Sequence, residues 1–159
     1  MYLIDGHNLI GQGLIPGIDL QQEDDEARLV RWLRARQPNL RSKMTVIFDG
    51  GIPGGMSLAL SGGGVTVLFA AQRRSNADRV ILNRVRKAAR PQEIIVVTND
   101  ADLRAQVQRA GARLMRGDAF IRRLQRPLRQ VGPASPKEKP NLSKQEVDEF
   151  LQMFGAGED

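Results

Sequence analysis

Short apolar runs that stop abruptly at a carboxylate recur along this chain, and this pattern constrains its fold more than any other feature. Residues 44–48, Met-Thr-Val-Ile-Phe, are apolar and β-branched and end in Asp49-Gly50-Gly51, the signature of a strand buried on both faces. Residues 1–4 meet Asp5-Gly6-His7-Asn8 at once, and residues 93–97 run into Thr98-Asn99-Asp100-Ala101-Asp102. Residues 65–70 and 112–115 read as further strands. Between them lie helical patterns. In residues 23–36, Ala27, Leu29, Val30, Trp32 and Leu33 make an apolar stripe, with acids in the first turn and Arg in the last, as the helix dipole favours. Residues 75–89, 101–110 and 118–126 read as helices too, with Gly111 where a C-cap belongs. Strands alternating with helices close a parallel sheet through right-handed crossovers, so the fold class is α/β.

Two segments fall outside this alternation. Residues 50–64 hold seven glycines and are expected to form a long loop with little structure of its own. From residue 131 the composition turns to Pro, Lys, Ser and Glu, which reads as a flexible linker. Ser143 and Glu146 are then spaced as a capping box ahead of a stripe of Val147, Phe150, Leu151 and Phe154. The expected organisation is one domain over 1–130, a linker over 131–141, and a C-terminal helix and tail over 142–159. No apolar run approaches the roughly 20 residues needed to span a bilayer, and residues 1–5 show no leader pattern, so a cytoplasmic protein is expected. The chain has no cysteine, which excludes disulfides, zinc–thiolate sites and thiol nucleophiles.

The carboxylates carry the chemistry. In an open parallel sheet the C-terminal strand ends share one edge, and ligand sites form there. Asp5, Asp49, Asp100 and Asp102 are therefore expected to converge, joined by Asp78 at the start of the helix that follows residue 75. Crowded carboxylates raise one another's pKa unless a cation neutralises them, and oxygen-only donors suit Mg²⁺ or Mn²⁺. Structural alternatives exist for most members. Ser75 and Asp78 have capping-box spacing, Asn99 or Asp100 can cap the next helix with Asp102 favoured by its dipole, and Asp49-Gly50 can be a plain strand exit. Asn8 either orients Asp5 or caps a short turn. Asp5 has the least structural reason to be where it is. His7, the single histidine, is expected to face solvent or bond backbone and not to be catalytic. A dinucleotide fingerprint, a P-loop and a nucleophile elbow are all absent.

Charge is unevenly spread. The chain carries a net +6, yet residues 71–130 hold fifteen basic side chains, fourteen of them Arg, against five acids. Residues 1–70 hold six basic and seven acidic side chains, and residues 131–159 three and six. A basic segment built from Arg suits phosphate, which guanidinium grips bidentately. Arg73, Arg74 and Arg79 lie beside the acids in sequence, and Arg84, Arg86 and Lys87 extend the same stretch. The single Tyr and single Trp lie outside it, so base stacking on an aromatic platform is not expected to dominate binding.

Taken in order, Leu3-Ile4-Asp5-Gly6-His7-Asn8-Leu9-Ile10, Val46-Ile47-Phe48-Asp49-Gly50, Ser75-Asn76-Ala77-Asp78-Arg79-Val80-Ile81 and Val96-Val97-Thr98-Asn99-Asp100-Ala101-Asp102-Leu103 resemble the NYN domain family, most nearly its YacP-like bacterial branch among the PIN-like nucleases. The resemblance covers residues 1 to about 125. It implies a PIN-like three-layer α/β/α sandwich around a mainly parallel sheet and a Mg²⁺- or Mn²⁺-dependent endoribonuclease. It also implies that Asp5, Asp78 and Asp100 are the principal metal-site acids, assisted by Asp102. Asn8, Thr98 and Asp49 are the polar positions beside them. Members similar to this chain are associated with translating ribosomes, which makes ribosome-bound mRNA the implied substrate. Two other functions fit the same residues: a non-catalytic RNA- or ribosome-binding module, and a nuclease acting on DNA.

Overall fold

Alternating strand and helix patterns become β1 (Tyr2–Asp5), α1 (Gly6–Gly11), α2 (Asp25–Arg36), β2 (Met44–Phe48), β3 (Gly55–Met56), β4 (Val65–Phe69), α3 (Ala77–Lys87), β5 (Ile95–Val97), α4 (Ala101–Arg109), β6 (Arg113–Met115) and α5 (Gly117–Gln125). These come from a computed structural model that describes residues 1–50, 54–70 and 76–126. The expected linker 131–141 and helix 142–159, together with Arg73, Arg74 and Ser75, lie outside the described residues.

The strands form one sheet in the order β3-β4-β2-β1-β5-β6. All neighbours are parallel except β3, which pairs antiparallel with β4. From β1 the chain steps outward through β2 to β4, then returns to the far side of β1 for β5 and β6. The direction of winding therefore reverses between β1 and β5, and the crevice outside the C-terminal ends of those two strands is where an open α/β sheet binds its ligand.

Strand side chains alternate between two cores, as the period of two requires. Ile4, Val46, Phe48, Val67 and Val97 pack with Leu9, Leu29, Leu33 and Phe120 from α1, α2 and α5. Leu3, Ile47, Leu68 and Val96 pack with Ile81, Val85, Leu103 and Val107 from α3 and α4. The result is a three-layer α/β/α sandwich, as the resemblance implied. All five residues of β2 are buried, which matches its reading as a central strand.

Two elements differ from expectation. Helix α1, which the helical patterns did not include, starts directly after the last residue of β1. Gly6 makes this possible, because a Cβ there would clash with the Cδ1–Cε1 edge of the Phe48 ring and press on Val46 Cγ1. The glycine-rich stretch also builds more than a loop. Gly62, Gly63 and Gly64 all have positive φ, and with the Gly62–Val65 bridge they turn the chain sharply into β4, the antiparallel partner of β3. Among the described residues, no helix is long and apolar enough to cross a membrane.

Candidate active site

Asp5 closes β1 and is only 6% exposed. Two groups steady its carboxylate: the Asn8 backbone N–H and the Thr98 hydroxyl, which donates to Oδ2 at 3.4 Å. Burial, and after it the charges of Asp78 and Asp49, push its pKa from 3.8 up to about 6 despite those bonds. Asp78 sits half-buried in the first turn of α3 and is also raised, by burial first and then by Asp100 and Asp49. Thus Asp5, Asp49, Asp78 and Asp100 share one electrostatic environment at the sheet's C-terminal edge, and the charges acting on Asp5 and Asp78 are all carboxylates. Asp102 does not join them. It lies exposed in the first turn of α4 and is not among the charges that raise Asp5 or Asp78.

The strand exits are tied together by side chains. Thr98 Oγ1 accepts the Asp100 N–H at 3.2 Å while donating to Asp5, so one buried hydroxyl links the exits of β1 and β5. Asn8 does not orient Asp5 with its side chain: its Oδ1 accepts the Asn99 N–H at 3.0 Å. Asn99 in turn donates to Gln12 Oε1 at 2.5 Å and accepts the Gly117 N–H at 2.8 Å, satisfying a donor at the start of α5 that α5 has no side-chain cap of its own to serve.

Capping and site formation coexist. Asp100 Oδ1 accepts the Leu103 N–H at 2.9 Å as the N-cap of α4. Asp49 Oδ1 accepts the Ala77 N–H at 2.7 Å across 28 residues, so it is more than a strand exit. The Ser75–Asp78 capping box is not how α3 begins. Its N-cap is Asn76, whose Oδ1 accepts the Arg79 N–H at 2.9 Å, and this leaves the Asp78 carboxylate for the acid cluster.

His7 departs from expectation. It is half-buried, packs against Phe48 with ring centroids 5.1 Å apart and the planes tilted by 52°, and sits between two carboxylates rather than on backbone or in solvent. Nε2 lies 3.1 Å from Glu26 Oε1, and Nδ1 lies 4.0 Å from Asp49 Oδ2. Among the described residues, the group of three whose ligand atoms all lie within 4.8 Å of one another is His7, Asp25 and Glu26. Asp5, Asp78 and Asp100 do not form so tight a group. Sequence reasoning missed Asp25 and Glu26 because acids in the first turn of a helix are ordinarily explained by its dipole. Buried Asp25, 7% exposed, carried no signal in the sequence to mark it out.

The donor set of Asp5, Asp49, Asp78 and Asp100 is oxygen only, mutually repelling and partly desolvated, which fits a hard divalent cation. Mg²⁺ keeps several of its waters and needs few direct protein ligands, so carboxylates spaced more widely than direct ligation demands remain compatible. On the basic side, Arg79, Arg84 and Lys87 are all exposed on α3.

Comparison with known proteins bears on the family and the fold. The YacP-like NYN domain profile matches residues 2–154, well past residue 125, where the motif resemblance ended. The crystal structure of Rae1 (YacP) from Bacillus subtilis is similar with a TM-score of 0.62 at 20% identity, covering 99% of this chain and 84% of that one. A mutant form of the same protein is similar with a TM-score of 0.58 at 17% identity, covering 99% and 87%. At these identities the structural likeness shows the fold alone. No curated protein sequence matches.

Proposed function

The chain belongs to the YacP-like NYN domain family, and on that premise we propose that it is a metal-dependent endoribonuclease that hydrolyses RNA phosphodiester bonds at the Asp5–Asp78–Asp100 edge of the sheet. The family supplies the nuclease-type, RNA-related function. The finer reading rests on one observation: carboxylates from three separate strand exits and a helix start share a single electrostatic environment at the winding reversal between β1 and β5.

Asp5, Asp78 and Asp100 would hold Mg²⁺ or Mn²⁺, with Asp49 adding negative charge beside them. A bound ion of this kind supplies an activated water and positive charge against the phosphate undergoing attack. The chain's own groups do the positioning. Thr98 and the Asn8 N–H fix the Asp5 carboxylate, and the Leu103 N–H fixes Asp100. Asp78 is carried by α3, whose N-terminus also presents Arg79 for backbone phosphate. With its pKa near 6, Asp5 exchanges its proton close to neutral pH when its charge is uncompensated. The substrate in the cell is proposed to be cytoplasmic mRNA, presented on a ribosome.

The test is cleavage of labelled single-stranded RNA with Mn²⁺, Mg²⁺ or EDTA, alongside Asp5→Asn and a matched DNA strand. The expected result is metal-dependent RNA product that Asp5→Asn does not form. Wild-type rates from Asp5→Asn would remove the site assignment, and preferential DNA cleavage would change the substrate. If free RNA is not cut, the same assay on translating ribosomes separates an enzyme that needs presentation from a binding module, which yields no product there either.

A further inference from the structure

Helices α3 and α4 pack side by side on the sheet face opposite α1 and α2. Both begin at the acid cluster and run away from it. Near their far ends, an open pocket of about 410 Å³ is lined by Arg86, Gln106, Arg109 and Ala110. Arg86 and Arg109 are exposed, and neither makes an ion pair or side-chain hydrogen bond among the described residues. Among the described residues, no acid lines the pocket. A favourable helix dipole explains a basic residue in the last turn of each helix. It does not explain why two arginines from different helices line one cavity together with Gln106. Two forked donors and a neutral amide are the chemistry that recognises a phosphate group.

Helical spacing links this pocket to the acids. Arg79, Asn83 and Arg86 stand at i, i+4 and i+7 on one exposed face of α3, whose first turn carries Asp78, so the path from the acid edge to the pocket runs along α3. On α4 only Gln106 and Arg109 belong to it, since Asp102 at the start of that helix is an acid outside the cluster. Arg86 lies eight residues beyond Asp78, roughly 12 Å along the axis at 1.5 Å per residue. A strand crossing the acid edge can therefore follow the α3–α4 face to the pocket. Arg84 and Lys87, expected from the sequence to extend the basic groove, do not line it.

We infer that the Arg86–Arg109 pocket is a phosphate-binding site that grips the RNA backbone away from the bond being cut. The inference rests on the nuclease reading above and gives it a substrate path. In the full-length protein with EDTA present, the affinity for labelled single-stranded RNA is measured across a salt series for wild type and for Arg86→Ala/Arg109→Ala. The double variant is expected to bind about tenfold more weakly at low salt. Its slope of log K against log salt should flatten by about 0.7 for each phosphate the variant no longer neutralises. Arg31→Ala/Arg126→Ala, which removes two exposed arginines of the α2 and α5 side at the opposite face, matches the change in net charge and should leave the slope unchanged. Inorganic phosphate titrated into wild-type protein should saturably shift the guanidinium Nε–H resonances of Arg86 and Arg109. Absence of those shifts, or an RNA slope the double variant leaves unchanged, overturns the inference while leaving the nuclease reading intact. Wild-type protein that binds no free RNA overturns the inference and leaves the nuclease reading to the cleavage assay on translating ribosomes.

Discussion

The Thr98 hydroxyl bonds Oδ2 of Asp5 at 3.4 Å across 93 residues of sequence while accepting the Asp100 N–H. Thr98 is 1% exposed, so this hydroxyl is committed to the two acids it joins. The link exists because β1 and β5 are parallel neighbours, with Ile4 beside Val97, so the residues leaving each strand meet in the crevice of the winding reversal. Asp5 and Asp100 are thus placed by strand register, and Thr98 sets how their carboxylates stand.

Replacing Thr98 with Val keeps the shape and removes the hydroxyl. The Asp100 N–H and one Asp5 oxygen then lose a partner in a buried site, which costs about 1–3 kcal/mol. The Thr98 bond lowers the Asp5 pKa, so its loss should push that pKa above its present value near 6. Urea unfolding should show the destabilisation, and the acid limb of the cleavage profile should move to higher pH. A profile that stays in place would show that Thr98 supports the fold but not the carboxylate.

Gly6 is the hinge on which β1 becomes α1. A Cβ at this position would press into the ring of Phe48, itself fully buried between Val46, Phe69 and the α1–α2 layer. Overpacking of this kind typically costs about 1–3 kcal/mol. Gly6→Ala should lower the urea midpoint accordingly, and Phe48→Leu in the same chain should recover part of the loss by vacating the space. A Gly6→Ala protein as stable as wild type would mean that the junction tolerates a side chain.

Asn99 serves α5 as a cap from outside the helix. Asn99→Ala would leave the buried Gly117 N–H without its acceptor and release Gln12, at a cost of about 1–3 kcal/mol. Hydrogen exchange should locate the damage. The Gly117 amide should lose protection while amides of α3, on the other face of the sheet, keep theirs. Unchanged exchange at Gly117 would show that water replaces the cap at no cost.

The acid edge is legible in the sequence because its signal is local. Asp5, Asp49 and Asp100 each follow an apolar strand, and parallel strands deliver their ends to one edge whatever the order of the sheet. The residues that sequence reasoning misses depend on distance through space. Glu26 reaches His7 because α1 turns straight off β1, and α1 is only six residues long, too short to show a helical period. β3 is two residues of Gly-Met and gains its strand geometry from pairing with β4, not from its own propensity. The capping alternative for Asp78 fails for a simple reason: Asn76 lies one position nearer the helix than Ser75 and captures the cap. Asp102 shares its short motif with Asp100, yet two residues along a helix turn a side chain to another face.

Burial of the Asp5 carboxylate, and after it the repulsion from Asp78 and Asp49, should be measurable as stability. The folded-state pKa of Asp5, about 6, lies above its ordinary 3.8, so between those values the native state holds a proton the unfolded chain has released. Stability is therefore greatest below the unfolded pKa and declines as pH rises through 6. At 1.36 kcal/mol per unit, ionised Asp5 weakens the metal-free protein by up to about 3 kcal/mol at neutral pH. Asp78, raised in the same direction, adds to the trend. Asp5→Asn removes the charge, so in EDTA at pH 7.5 the variant should melt several degrees above wild type, and the gap should narrow at pH 4.5. Mn²⁺ should then raise the wild-type midpoint, by about 2.7 kcal/mol of stability at one hundred times its dissociation constant, and raise that of Asp5→Asn far less. A variant that melts below wild type at both pH values in EDTA would mean that Asp5 is held as a stabilising carboxylate, and the electrostatic case for a cation at this edge would fall with it.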